Sequence, residues 1–263
     1  MPESAAARWV SRDRALIGIG LIGMTLVAWA YLVHMDRLMG EALSMAEMGM
    51  PMDHGWDHAD LLMTFLMWAV MMVGMMVPSA MPMILAFATI NRNRASRGGP
   101  YVGTMIFLAG YLAIWAAFSF FASLAQGGIH AAALLRPATL TVVPWLGGGL
   151  LIAAGVFQLS PLKNSCLSRC RSPFDFLATE WREGKTGAFW MGIRHGAFCV
   201  GCCWLLMLLL FVAGVMNLLW VATIAAFVLA EKLLPRGRLV SYLGAIVCLS
   251  AGLVWLLSGF RVS

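Results

Sequence analysis

The sequence predicts an all-α protein, a polytopic bundle of about seven membrane-spanning helices. Three observations predict it. Hydrophobic residues make up 61% of the 263 positions and charged residues 11%, whereas soluble domains run near half and a quarter. The mean hydropathy is +0.84. Seven apolar stretches, most of them near the roughly 20 residues a crossing needs, are separated by charged segments. This composition excludes a disordered chain, a coiled coil, a disulfide-stapled secreted domain and a nucleic-acid-binding domain, despite a net charge of +6. The whole chain, 1–263, reads as one integral membrane domain whose surroundings are the lipid bilayer.

The expected spans are residues 15–33, 61–90, 101–125, 142–162, 187–215, 218–234 and 239–260. The first follows Arg8, Arg12 and Arg14, as a signal peptide would, but no small-residue cleavage site comes after it. It is expected to be retained. Pro78 and Pro82 interrupt the second span and predict a kink. The sixth span is short enough to be re-entrant. Fourteen of the 18 Lys and Arg residues fall at the N-terminus and in alternate loops, around Arg92–Arg97, Lys163–Lys185 and Lys232–Arg238. The positive-inside rule then places the N-terminus in the cytoplasm and residues 34–60 outside. No span shows a central Asp or Glu, which argues against a proton- or sodium-coupled carrier. Glu231 and Lys232 are expected at the interface that ends the sixth span. Arg194 is expected to snorkel to the cytoplasmic surface, or else to pair with an acid.

The 20 Met and six Cys residues set the chemistry. The outer segment 34–60 is acidic and carries Met45, Met48, Met50 and Met52. Behind them come Asp53, His54, Asp57 and His58. On a helix, His54 and His58 would share a face and could chelate one ion with a carboxylate. Thioethers select Cu(I), while imidazole and carboxylate suit Cu(II) or Zn(II). The competing reading is a solvated connector whose acidity follows from its orientation. In the second span Met63, Met67, Met71 and Met75 recur every four residues as one slowly turning stripe. Such a stripe could pass Cu(I) between thioethers, and equally it could be flexible core packing.

The sharpest pattern lies in the fifth span. His195, Cys199, Cys202 and Cys203 fall within an arc of about 100° at roughly 100° per residue, so they share one helix face. In the segment 163–186, read as a cytoplasmic loop, Cys166 and Cys170 are four apart beside Lys163, Arg169 and Arg171, cations that favour thiolates. Convergence of these thiols with His195 would suit Cu(I), Zn(II) or an iron–sulfur cluster, and a reducing compartment disfavours disulfides. Cys is also a small apolar residue at home in cores, which is the reading for isolated Cys248.

Three blocks carry a resemblance. One runs from Met67-Trp68-Ala69-Val70-Met71-Met72 to Met75-Met76-Val77-Pro78-Ser79. Pro161-Leu162-Lys163 with Cys166 and Cys170 forms the second. The third comprises His195-Gly196, Gly201-Cys202-Cys203-Trp204, Gly214-Val215-Met216-Asn217 and Glu231-Lys232. From the second span onward the chain resembles a bacterial family of unknown function, described as predicted metal-binding integral membrane proteins. The resemblance implies a protein of the bacterial cytoplasmic (inner) membrane that binds metal, and it assigns no ligand set.

The favoured reading is the handling of a soft transition metal, with copper preferred and zinc admitted. The outer segment would capture it and the Met stripe guide it. The cysteine face would receive it, for transport or for delivery to a membrane or extracytoplasmic metalloprotein. A membrane thiol or metal redox enzyme is the first alternative, and a metal-free structural subunit the second. An enzyme is the less favoured class. No phosphate-binding loop is present, so ATP hydrolysis is not intrinsic.

Overall fold

A computed structural model describes residues 5–47, 58–100, 102–136, 141–215 and 217–259. In chain order the elements are α1 (Ala5–Glu47), α2 (His58–Ala95), α3 (Thr104–Ala131), β1 (Leu135–Arg136), β2 (Thr141–Val142), α4 (Pro144–Leu159) and α5 (Pro161–Arg171). They continue with α6 (Pro173–Glu180), α7 (Gly184–Leu208), α8 (Leu210–Ala213), α9 (Leu218–Leu233) and α10 (Gly237–Gly259). The two short strands pair antiparallel, Leu135 with Val142 and Arg136 with Thr141, and everything else regular among the described residues is helical.

Among the described residues, five segments are long and apolar enough to cross a membrane: Asp13–Leu38, His58–Ala95, Thr104–Ala131, Gly184–Ala213 and Gly237–Leu257. A sixth arises if α4 and α5, bent by 65° at Ser160, count as one. The 16 residues of α9 rise roughly 24 Å at 1.5 Å each, short of about 30 Å of hydrocarbon. Large apolar side chains point outward, among them Val27, Phe121, Leu219 and Ile246, each at least 64% exposed. This arrangement inverts the packing of a water-soluble surface.

Small residues let the helices approach. A Cβ on Gly110 of α3 would lie 2.1 Å from the Phe189 carbonyl oxygen, and one on Gly192 of α7 would lie 2.0 Å from that of Phe107. The two backbones therefore touch, as small-residue seams allow. Gly148 and Gly155 of α4 receive Leu256 and Leu249 of α10 in the same way. Trp29 of α1 donates its indole N–H to the carbonyl of Gly74 at 3.2 Å. That carbonyl is the one Pro78, lacking an N–H, leaves without its helical partner. The helix consequently continues through Pro78 and Pro82.

Two expectations need correction. Residues 163–186 are not a loop. Ser160 caps α5, its hydroxyl accepting from the Lys163 N–H at 3.1 Å, and Pro161 and Pro173 each sit in the first turn of a helix, α5 and α6. Proline is tolerated there because that N–H has no helical acceptor. The segment 34–60, expected as a connector, is not all loop either, because α1 continues through residue 47 and α2 starts at His58. At the far end of α7 the chain slips at Leu209, turns at Gly214 with φ 92°, and restarts at Asn217, whose side chain caps α9. A positive φ suits glycine, which has no Cβ to clash.

Candidate metal centre

The Met stripe of α2 points inward over most of its length. Met67, Met71 and Met75 are buried together with flanking Met72 and Met76, while Met63 is 65% exposed. The stripe ends at a polar knot. The Met76 carbonyl accepts both the Ser79 hydroxyl at 2.9 Å and the Tyr111 hydroxyl of α3 at 3.1 Å. The Tyr111 oxygen lies 3.2 Å from the Cys199 sulfur of α7.

Helical spacing puts His195, Cys199, Cys202 and Cys203 on the inward face of α7, and all four are buried. Cys202 and Cys203 donate their thiols to the Cys199 carbonyl at 3.1 and 3.0 Å. From α5, buried Cys170 stands beside the Cys199 and Cys202 thiols. Cys166 is half-buried at the rim, its sulfur 3.0 Å from where a Cβ on Gly201 would stand. The absence of a side chain at Gly201 makes room for it. Thiols from two stretches of chain thus meet at one buried place.

His195 stands among three rings, Tyr111 at 5.5 Å, Phe176 at 5.6 Å and Phe107 at 6.2 Å between centroids. Neither of its ring nitrogens has a hydrogen-bond partner among the described residues. A buried polar atom left unpaired costs about 1–3 kcal/mol. In a soft-donor setting an imidazole free at both nitrogens is available for a ligand.

The cations divide unexpectedly. Lys163 turns away from the thiols and forms a buried pair with Glu231 of α9, its ammonium 2.7 and 2.9 Å from the two carboxylate oxygens. Gln158 also accepts from Lys163, and Ser241 of α10 donates to Glu231 at 2.7 Å. Arg169 lies over the Phe198 ring, and Arg171 donates to the carbonyls of Leu234 and Pro235. The cation that reaches the thiols is Lys232, 2.9 Å from the Cys199 sulfur and 3.0 Å from the Ser79 hydroxyl. Glu231 and Lys232 lie in the last turn of α9 and both are buried within the protein, at 1% and 6% exposure. Two adjacent buried charges must each find a partner, and they find different ones: Lys163 and Ser241 for Glu231, Cys199 and Ser79 for Lys232. Arg194 pairs with Glu180 at 2.9 Å.

Ser79, Tyr111 and Lys232 join the site without having been singled out for it by the sequence. The signals available were a serine between two prolines and a charged dipeptide closing an apolar run. Met48, Met50, Met52, Asp53, His54 and Asp57 lie outside the described residues. Met45 falls on α1, and His58 is exposed at the start of α2. Cys248 is buried on α10, near the Lys163–Glu231 pair.

Among the described residues, no three His, Cys, Asp or Glu side chains stand around a common point ready to hold a metal ion. The thiols instead face one another, the Cys199 carbonyl and Lys232. The donor set is nevertheless soft, with thiols, an unpartnered imidazole and buried thioethers, and such donors suit Cu(I).

No curated protein and no solved structure matches the chain. A family model described as copper chaperone matches residues 65–255, most of the chain from α2 to α10 and every thiol and ring of the site. The helix α1 and the acidic segment 34–60 precede the matched region. Over that span the chain belongs to the PpoB2 copper chaperone family.

Proposed function

We propose that this protein is an integral membrane copper-handling protein that holds Cu(I) at the buried thiols and passes it to a metalloprotein partner. Cys170, Cys199 and Cys202 supply thiolates and His195 an imidazole, with Cys203 and Cys166 adjacent. One observation carries the reading: thiols from α5 and α7 meet beside an imidazole free at both nitrogens. Family membership supports copper and lends no support to zinc.

In this reading the N-terminus is cytoplasmic and the chain crosses a bacterial cytoplasmic membrane seven times. The bent α4–α5 pair supplies one crossing and short α9 another. Met45, Met48, Met50 and Met52, with His54, His58, Asp53 and Asp57, collect the ion outside. Met63, Met67, Met71 and Met75 guide it inward. The buried stripe supports this route, because it ends at the Met76 carbonyl that Tyr111 links to Cys199.

The test is the copper content of full-length protein, purified in mild detergent and loaded anaerobically with Cu(I). One equivalent is expected in the wild type and none at this site in Cys199→Ser/Cys202→Ser. A wild type that holds no copper, or a double variant that holds as much, refutes the proposal.

A further inference from the structure

A lysine buried beside sulfur has no evident structural purpose. Burying an ammonium is expensive unless a partner compensates it. Lys232 is 6% exposed, yet among the described residues it forms no ion pair with a carboxylate. Neighbouring Glu231 is taken by Lys163 and Ser241. The hydrogen-bond acceptors of the ammonium are the Cys199 sulfur at 2.9 Å and the Ser79 hydroxyl at 3.0 Å. A unit positive charge therefore already stands against the sulfur that a monovalent soft cation would seek.

We propose that Lys232 is a resident counter-cation of the thiol site, displaced from Cys199 when Cu(I) binds and returning when it leaves. This rests on the copper reading above and adds how the ion is released. Cu(I) and the ammonium carry the same charge, so the exchange swaps one positive contact at Cys199 for another. Ser79, held by the Met76 carbonyl, keeps the displaced ammonium close. A tethered competitor acts at high effective concentration. The site thus binds copper less tightly than its thiols alone would and gives it up faster, as a delivery protein requires.

The experiment is an anaerobic competition for Cu(I) between full-length protein in detergent and a chromogenic Cu(I) chelator, read at equilibrium and as a release rate. Lys232→Met removes the charge and nearly keeps the shape. It should bind the same one equivalent at least tenfold more tightly and release it more slowly. Ser79→Ala leaves the ammonium without its second acceptor and should weaken binding at least threefold. These opposite signs separate competition from mere structural support, which would weaken both variants. Unchanged or weaker binding by Lys232→Met overturns the proposal while leaving the copper reading standing. A wild type that binds no copper overturns both. If Lys232→Met fails to fold, Lys232→Gln takes its place: tighter binding and slower release support the competitor, and equal or weaker binding overturns it.

Discussion

Replacing Lys163 by Met would isolate the Glu231 carboxylate. Both side chains are essentially buried, at 0% and 2% exposure. The carboxylate now takes both of its short contacts to nitrogen from Lys163, and Ser241 supplies one further donor. Removing one partner of such a pair costs about 3–5 kcal/mol, because the other charge remains buried and uncompensated. Total stabilities lie near 5–15 kcal/mol, so the loss is large. It should fall first on α5, which Lys163 fastens to α9 and whose far turn carries Cys170. An opening made easier by 3 kcal/mol is roughly a hundredfold more populated. Labelling of buried thiols by a fluorescent maleimide should therefore accelerate by about two orders of magnitude, and detergent-solubilised protein should unfold at lower temperature. The double variant Lys163→Met/Glu231→Gln removes both charges and should recover most of the loss. The reasoning is refuted if the single variant labels and unfolds like the wild type, or if the double variant is no better than the single.

Two further outcomes follow from the geometry. His195→Phe should leave thermal stability equal or raised, because it removes two unpaired buried nitrogens and keeps a ring among rings. The same change should lower Cu(I) affinity at least tenfold, and a parallel loss of stability would identify His195 as a structural residue. Gly192→Ala places a methyl 2.0 Å from the Phe107 carbonyl, so α3 and α7 must part. A loss of about 1–3 kcal/mol is expected for such overpacking. It should appear as a lower unfolding temperature together with faster thiol labelling, since Tyr111 and Cys199 face each other across that seam. A variant as stable as the wild type would show that the seam yields.

The amino-acid sequence by itself determined the character of the helices and the content of one face. Runs of apolar residues near 20 long can satisfy their backbone in hydrocarbon only as helices, and α2, α3, α7 and α10 appear near where those runs lie. A period of 3.6 residues is likewise enough to align His195 with Cys199, Cys202 and Cys203, since that relation is internal to one helix. The helical nature of α5 was also written in the chain, in Ser160 followed by Pro161, but its charged and polar residues suggested a loop.

Tertiary structure decided which groups meet across helices. Nearness in the chain paired Lys163 with Cys166 and Cys170, whereas the fold gives it to Glu231 and brings in Lys232 from 33 residues beyond Cys199. Ser79 and Tyr111 enter for the same reason, as neighbours from other helices. These pairings depend on how closely α3, α7 and their partners can pack, which contacts at Gly110, Gly192 and Gly201 set. They depend also on the cost of leaving any buried charge unpaired, a condition that only the assembled bundle can satisfy.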